Sequence, residues 1–398
     1  MIDTPADLLE KLSGPVLPGG TIGIFGGGQL GRMMGIAARS MGYKVHVLDP
    51  DPACSAGYIA DTVIEAGWND RWAAANLARE SSTVTLEIEQ VSILSLDEAA
   101  RWAPMRPGAA MLAIIQDRVE QKDWLNKHGF PTGPYRAVRS QEQLGEAVKE
   151  LAGPVFVKSA RGGYDGRGQA KLGFGGDVVD DAAILQAWQD VGATDCVAER
   201  ALDLAKEISV MVARAPNGEV RVYPPAENFH ENQILSWSVI PASVPDELAA
   251  RAQNIAGEIA DTFALEGLLA VEMFITTDGQ LLVNELAPRP HNSYHGSERA
   301  CTTGQFEQAI RAACDLPLGD VSMVQPTAIA NLLGDVWLND DGTEKQPAFD
   351  QALAIPGVRL TLYEKLKPRK GRKMGHLSAV GATADEARER VLAAKARL

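Results

Sequence analysis

Cysteine is scarce in this chain. The four that occur, Cys54, Cys196, Cys301 and Cys314, stand far apart and at no metal-ligand spacing. They imply no disulfide framework and read as the reduced thiols of a cytoplasmic protein. Positive charge is also outnumbered: 38 Lys and Arg against 52 Asp and Glu leave a net charge of −14. That balance argues against a general nucleic-acid or anionic-membrane binder, so any anion site must be a local concentration of cations. No apolar run approaches the ~18 residues of a membrane span, and no basic start leads into an apolar segment as in a secretory signal. There is no internal repeat. What is present is 398 residues, 45% hydrophobic and 23% charged. Those are the values of a soluble globular protein of two or three domains with sizeable cores.

One stretch organises the chain, Leu268 to His295, LLAVEMFITTDGQLLVNELAPRPHNSYH. Two strand-like runs flank Thr277-Asp278-Gly279, which reads as a hairpin. Glu272 lies in the first run and Glu285 ends the second, both among apolar neighbours. A carboxylate held against a core needs a partner. Two that converge from adjacent strands make an oxygen-rich site of the kind Mg2+ uses together with substrate phosphates. The other reading is a surface hairpin with two solvated acids. Arg289, His291, Asn292 and His295 follow directly, a dense group of donors suited to an anionic second substrate.

Thr21–Phe25 is a buried-strand pattern, followed by Gly26-Gly27-Gly28-Gln29-Leu30-Gly31 and by apolar residues at helical spacing from Leu30 to Met41. Lys44–Leu48 is a second strand, closed by Asp49. Strand, glycine turn, helix, strand and acid have the form of the dinucleotide fingerprint, in which a phosphate sits at the helix N-terminus. Many doubly wound domains carry that form without a dinucleotide. Alternation continues through strand Thr62–Glu65, a helix near Trp72–Arg79 and strand Thr83–Leu86, which ends at Glu87 and Glu89. Those acids stand where open parallel sheets bind ligands, or are simply solvated.

A helix over Asp117–Lys127 carries Arg118 and Lys122, and the strand Pro154–Lys158 ends in a lysine. Four glycines then fall within Gly162–Gly168, beside Arg161 and Arg167. Such a loop suits phosphate, whereas a plain hairpin would not need the cations. Helix Asp181–Asp190, strand Asp195–Glu199, a connector to Ala205, and strands Lys206–Val212 and Arg221–Pro225 follow. Then come helices Asp246–Phe263 and Gln305–Cys314, with a tail strand at Thr327–Leu332. In the tail, Lys365, Lys367, Arg369, Lys370, Arg372 and Lys373 place six cations in nine residues. That is a candidate phosphate site or a solvated charged face.

These parts together resemble the ATP-grasp fold, and within it the family of 5-(carboxyamino)imidazole ribonucleotide synthases. The segments that carry the resemblance are GGGQLGRM (26–33), TLEIEQV (85–91), GGYDGRGQ (162–169), ERALDLAKEISVMVAR (199–214), YPPAEN (223–228), NELAPRPHNS (284–293), QFEQAIRA (305–312), NLLG (331–334) and GRKMGH (371–376). They occur in family order and span about nine tenths of the chain. The resemblance implies an α/β protein, α+β in its ATP-binding part. It implies a Rossmann-like domain at 1–113, an ATP-grasp domain at 114–316 with a mobile lid near 153–200, and a small C-terminal domain at 317–398.

It also implies the chemistry: carboxylation of 5-aminoimidazole ribonucleotide with MgATP and bicarbonate, through carboxyphosphate, in purine biosynthesis. On this resemblance Arg118 and Lys158 bind ATP phosphates. Glu199 with the Ala201–Leu202 backbone frames adenine, Glu207 holds ribose, and Asn284 completes the ATP site. Glu272 and Glu285 hold Mg2+. Gly28, Gln29, Tyr164, Arg167, Lys365 and Arg372 take the ribonucleotide. Arg289, His291 and Asn292 place bicarbonate and carboxyphosphate, with Asp165 a proton acceptor. A homodimer is implied too. The chain departs from the family at Tyr294 (usually Gly), Gly304 (usually Ser) and Glu364 (usually Gly). Ala287 stands where many ATP-grasp proteins have a metal-binding Asn, which leaves the third metal ligand open. Competing readings are another ATP-grasp ligase, a nicotinamide dehydrogenase built on Gly26–Gly31, and a non-catalytic nucleotide binder.

Overall fold

The computed structural model describes residues 14–163 and 168–398. Among the described residues the strands form three sheets. The first holds β1 (Thr21–Phe25), β2 (Lys44–Asp49), β3 (Thr62–Glu65) and β4 (Thr83–Leu86), all parallel, in the order β3-β2-β1-β4. Its central strands read as unbroken apolar runs because both faces are covered. Ile22, Ile24, Val45 and Val47 pack with Leu30 and Met34 of the helix Gln29–Ser40. Phe25, Leu48 and Leu86 pack on the other side with Leu77 of the helix Arg71–Arg79.

The second sheet is antiparallel: β5 (Tyr135–Val138), β6 (Val155–Ser159), β7 (Gln169–Leu172) and β8 (Cys196–Arg200), in the order β5-β8-β6-β7. Leu144, Ala147 and Leu151 of the helix Gln141–Leu151, with Ile184 and Ala187 of the helix Asp181–Asp190, share one core with Val155 and Val157. This unit starts near Tyr135, earlier than the expected boundary at 153. Lys158 pairs with Gln169, so β6 and β7 are antiparallel neighbours on either side of the glycine-rich sequence.

The third sheet has nine strands: β9 (Leu204–Arg214), β10 (Val220–Val222), β11 (Ala226–Glu231), β12 (Ile234–Ile240), β13 (Gly267–Thr276), β14 (Leu281–Ala287), β15 (Thr327–Leu333), β16 (Val358–Leu362) and β17 (Lys373–Val380). Its order is β14-β13-β9-β11-β12-β15-β17-β16, with β10 on β9. β9 starts two residues before the expected Lys206, and β10 is shorter than the expected Arg221–Pro225 run. The tail does not build a sheet of its own. β15 pairs antiparallel with β12, Ile240 opposite Thr327, so one sheet continues into the C-terminal part. Helix Asp246–Thr262 covers one end through Ile255 and Ile259, and helix Ala384–Lys395 covers the other through Val391.

Candidate active site

The hairpin forms as β13 and β14, and Glu272 lies directly opposite Glu285. The register slips after Glu272: Met273 pairs with Val283, which leaves Asn284 as an extra residue on β14. Successive strand residues ordinarily point to opposite faces, and a bulge relaxes that rule. Asn284 and Glu285 accordingly line the same cleft, with Arg118, Gln121, Lys122, Lys158 and Glu199. Burial, the largest influence, pushes the Glu272 carboxyl up to about 7; His230 and Arg289 oppose that, while Glu285 and Glu207 add to it. A buried carboxyl crowded by two further acids is an environment that a divalent cation relieves, and its donors are hard oxygens. The residues therefore fit Mg2+. Among the described residues no group of three or more His, Cys, Asp or Glu gathers as a metal site, so protein would supply two carboxylates and substrate or water the rest.

On the ATP side, Glu199 is the next-to-last residue of β8 and receives two ammonium groups. Lys122 Nζ lies 2.7 Å from Oε1 and Lys158 Nζ 2.5 Å from Oε2. Burial pushes the Glu199 carboxyl up, but Lys158 and Lys122 outweigh it and hold it at about 2. Two cations on one anion leave a surplus positive charge in the cleft, to which Arg118 adds. Arg118 Nη2 is 3.7 Å from Glu285 Oε1, and the guanidinium donates to the carbonyls of Ser159, Gly162 and Gly163. Asp117 caps this helix, so Arg118 and Lys122, four apart, share a face. The sequence placed Lys122 on the helix but gave it no partner.

Two ATP assignments meet different surroundings from those expected. The Ala201 N–H donates to the Pro154 carbonyl at 2.8 Å, so it is engaged within the protein rather than free for adenine. Leu202 Cδ1 lies against Gly133, 3.3 Å from where a side chain there would begin. Glu207 pairs with His230 Nδ1 at 2.8 Å. Burial lowers the His230 pKa, but Glu207 and Glu272 raise it above the ordinary value.

Beyond the carboxylate pair, His291 Nε2 lies 3.3 Å from Glu272 Oε1 and its Nδ1 lies 2.8 Å from Ser293 Oγ. Gln305 fixes its backbone, accepting from the N–H at 2.8 Å and donating to the carbonyl at 2.9 Å. Burial first, then Arg289, Lys373 and His230, hold His291 well below the ordinary imidazole value, so it is neutral. Arg289 Nε sits 2.9 Å from Glu89, just past the end of β4, which ties the first domain to the site. Asn292 Oδ1 meets His295 Nε2 at 3.1 Å. The His295 ring stacks on His376 at 4.5 Å, and Tyr363 Oη lies 2.8 Å from His376 Nδ1. Burial lowers His376 to about 4. This neutral stack joins the Asn292 loop to the tail, and the sequence reading missed it.

The phosphate reading of the first glycine turn is corrected. Glu87 accepts from the Gly28 N–H at 2.7 Å and the Gly31 N–H at 3.2 Å, and Asp49 accepts from the Gly27 N–H at 2.7 Å. The helix N-terminus is already capped by the protein's own Glu87 carboxyl, which burial pushes up to about 7 against the pull of the Gly28 and Gly31 N–H groups. A Cβ on Gly28 would meet Glu87 Oε1 at 2.7 Å, so the glycines serve this internal cap. Gln29, next along, accepts from Lys365 Nζ at 2.7 Å, which brings the tail cations to this turn. Arg372 Nη1 donates to the Lys367 carbonyl at 2.9 Å, and its own carbonyl accepts from Gly334. Tyr164, Asp165 and Arg167 lie outside the described residues.

Tyr294 and Gly304 have a local reason, and Glu364 carries a local cost. Tyr294 points into the core rather than the cleft; its Oη reaches the Ser209 and Pro224 carbonyls at 2.9 and 2.8 Å. Gly304 begins the helix Gln305–Ala313 without a side-chain cap; Glu298 fills its space and accepts from the Phe306 N–H at 3.3 Å. Glu364 has φ of 55°, the left-handed conformation that glycine takes freely and other residues at a cost of ~1 kcal/mol.

Family models match along the chain: a ribonucleotide synthetase preATP-grasp domain at residues 20–116, an ATP-grasp domain at 123–306, and a phosphoribosylaminoimidazole carboxylase C-terminal domain at 327–390. The N5-carboxyaminoimidazole ribonucleotide synthase of Bacillus subtilis is 41% identical over 372 residues, 93% of this chain and 94% of that protein. A crystal structure of the ADP complex of an N5-carboxyaminoimidazole ribonucleotide synthetase matches with TM-score 0.87 and 40% identity, covering 96% of this chain and 98% of that one. The Aspergillus clavatus N5-carboxyaminoimidazole synthase, in complex with ADP and 5-aminoimidazole ribonucleotide, matches at TM-score 0.83 and 29% identity, covering 95% and 99%. With the opposed glutamates, the cation-lined cleft and all three domain matches in place, this chain belongs to the N5-carboxyaminoimidazole ribonucleotide synthase family of ATP-grasp proteins.

Proposed function

We propose that this chain is an ATP-dependent carbon–nitrogen ligase that joins bicarbonate to the amino group of 5-aminoimidazole ribonucleotide and releases ADP and phosphate. One observation carries the reading. The Glu272–Glu285 pair stands between a cation-lined cleft and the cluster Arg289, His291 and Asn292. Mg2+ held by the two glutamates would neutralise the phosphate charge that builds up during transfer.

Bicarbonate is a weak electrophile, and phosphorylation to carboxyphosphate makes its carbon open to attack by the ring amine. Transfer of that phosphoryl group needs neutralised charge and in-line positioning more than a protein nucleophile. Arg118 and Lys158 take the ATP phosphates, and Lys158 turns from Glu199 to do so while Lys122 keeps that carboxylate paired. Glu199 with the Ala201–Leu202 backbone frames adenine, through groups other than the Ala201 N–H, and Glu207 holds ribose. Arg289 offers a planar fork to a carbonate-like anion. Neutral His291 and Asn292 hold it by hydrogen bonds without adding charge. Gly28 and Gln29 face the ribonucleotide, which Lys365 and Arg372 take with Tyr164 and Arg167, and Asp165 accepts a proton. A cytoplasmic homodimer is part of the same reading. No helix among the described residues is long and apolar enough to cross a membrane.

The test is phosphate release from MgATP plus bicarbonate, with and without 5-aminoimidazole ribonucleotide. Strong stimulation by the ribonucleotide that needs bicarbonate is the expected result. Turnover of ATP without it would reopen the substrate. Lys365→Ala is expected to raise the ribonucleotide KM by about tenfold or more, the loss of one charge-assisted hydrogen bond. The ATP KM should move far less, and equal effects on both would remove Lys365 from the ribonucleotide site.

A further inference from the structure

Arg32 and Gln29 lie three residues apart on one helix and so share a face. Two consecutive tail residues reach them. Lys365 Nζ donates to Gln29 Oε1 at 2.7 Å, and Glu364 Oε1 pairs with Arg32 Nη2 at 2.9 Å. The tail segment Tyr363–His376 contains six Lys or Arg residues and one acid, Glu364. That lone carboxylate lies against a guanidinium of the first domain, beside the residues already proposed to take the ribonucleotide.

The guanidinium is poorly used. Its Nε is buried with no partner among the described residues, and its Nη1 reaches the Ser55 carbonyl only at 3.4 Å. Its side chain is 13% exposed, whereas that of Glu364 is 44% exposed. Glu364 holds this position in a left-handed backbone conformation, φ 55°. A strained, half-exposed carboxylate is a weak partner for a largely buried arginine, easily lost to water. A phosphate dianion carries more charge and more acceptor oxygens, and arginine suits it.

We propose that Arg32 is a ligand for the phosphate of the ribonucleotide, and that Glu364 is a built-in competitor which the incoming phosphate displaces. This rests on the proposed function for the identity of the substrate, while the phosphate site itself is testable without turnover. The alternative is a latch, in which the Arg32–Glu364 pair holds the tail in place for binding. The two give opposite signs. Removing a competitor tightens binding; removing a latch weakens it.

The probe is ribose 5-phosphate, titrated calorimetrically into the full chain. Glu364→Gln is expected to bind it about two- to fivefold more tightly, the strength of one exposed ion pair. Arg32→Gln is expected to bind it about ten- to a hundredfold more weakly, the loss of charge-assisted hydrogen bonds. In the Arg32→Gln background, adding Glu364→Gln should give no gain, because the competitor then has nothing to occupy. Glu364→Gly, which suits the positive φ, should reproduce the tightening and guards against a folding artefact. In turnover the tightening should appear as a lower ribonucleotide KM with the ATP KM within about twofold. Unchanged or weaker binding in Glu364→Gln, or unchanged binding in Arg32→Gln, overturns the proposal and leaves the carboxylation reading standing. Absence of ribonucleotide-stimulated phosphate release in the unsubstituted chain overturns that reading, and the ribose 5-phosphate titration still decides the Arg32 site.

Discussion

Glu285→Gln is expected to lower the rate of ribonucleotide-dependent phosphate release by about 10²–10³-fold, the usual cost of removing one preorganised electrostatic partner from a transition state. The substitution keeps the shape of the side chain and removes its charge. Glu285 is 43% exposed, and the nearest cation among the described residues, Arg118, stands 3.7 Å away. Little stability therefore depends on it, and the melting temperature should hold. Among the described residues the metal would have only two protein carboxylates, so losing one halves its anionic support. The Mg2+ concentration for half-maximal activity should rise in the same variant. Near-normal turnover at ordinary Mg2+ would take Glu285 out of the metal site.

Glu199→Gln is expected to cost about 3–5 kcal/mol in urea unfolding at pH 7, because it strands two buried ammonium groups. Lys122 and Lys158 each lie within 2.7 Å of a Glu199 oxygen, and the three side chains are at most one-fifth exposed. The pH dependence has a fixed sign. Holding the carboxyl at about 2, against about 4.5 in an unfolded chain, contributes about 3 kcal/mol. That contribution is complete above pH ~4.5 and is lost as pH falls toward ~2. The unsubstituted protein should therefore lose stability across this acid window more steeply than Glu199→Gln. Parallel stability curves for the two proteins from pH 5 to 2.5 would show that the triad does not carry this charge.

Much of the fold was legible because its signals are local. TIGIF followed by glycines and a helical repeat gave β1 and the helix Gln29–Ser40, and the Thr277-Asp278-Gly279 turn gave β13 and β14. The hairpin of β11 and β12 was not legible. Its turn is Asn232-Gln233 with φ of 49° and 66°, a primed turn made without the glycine that usually announces one. β5 was missed because only Val138 of its four residues is buried, which leaves no alternation to read.

Within the candidate site, motif residues could be picked out one by one, but their partners could not. Glu87 reaches Gly28 across 59 positions, Lys122 reaches Glu199 across 77, and Lys365 reaches Gln29 across 336. No periodicity carries such pairings. The glycine turn shows the consequence most clearly. Its spacing fits a phosphate at the helix N-terminus, and only the folded chain reveals that Glu87 is already there.

The pairing of β12 with β15 bears on how the protein is made. Ile240 finds Thr327, 87 positions later in the chain. While the polypeptide leaves the ribosome, the outer edge of β12, with its apolar sequence ILSWSVI, has no neighbour until the tail follows. Bare strand edges of this kind recruit other chains. A message cut short after the ATP-grasp segment would therefore yield aggregate in place of a working half, and nascent chains should engage holdase chaperones most strongly in that interval.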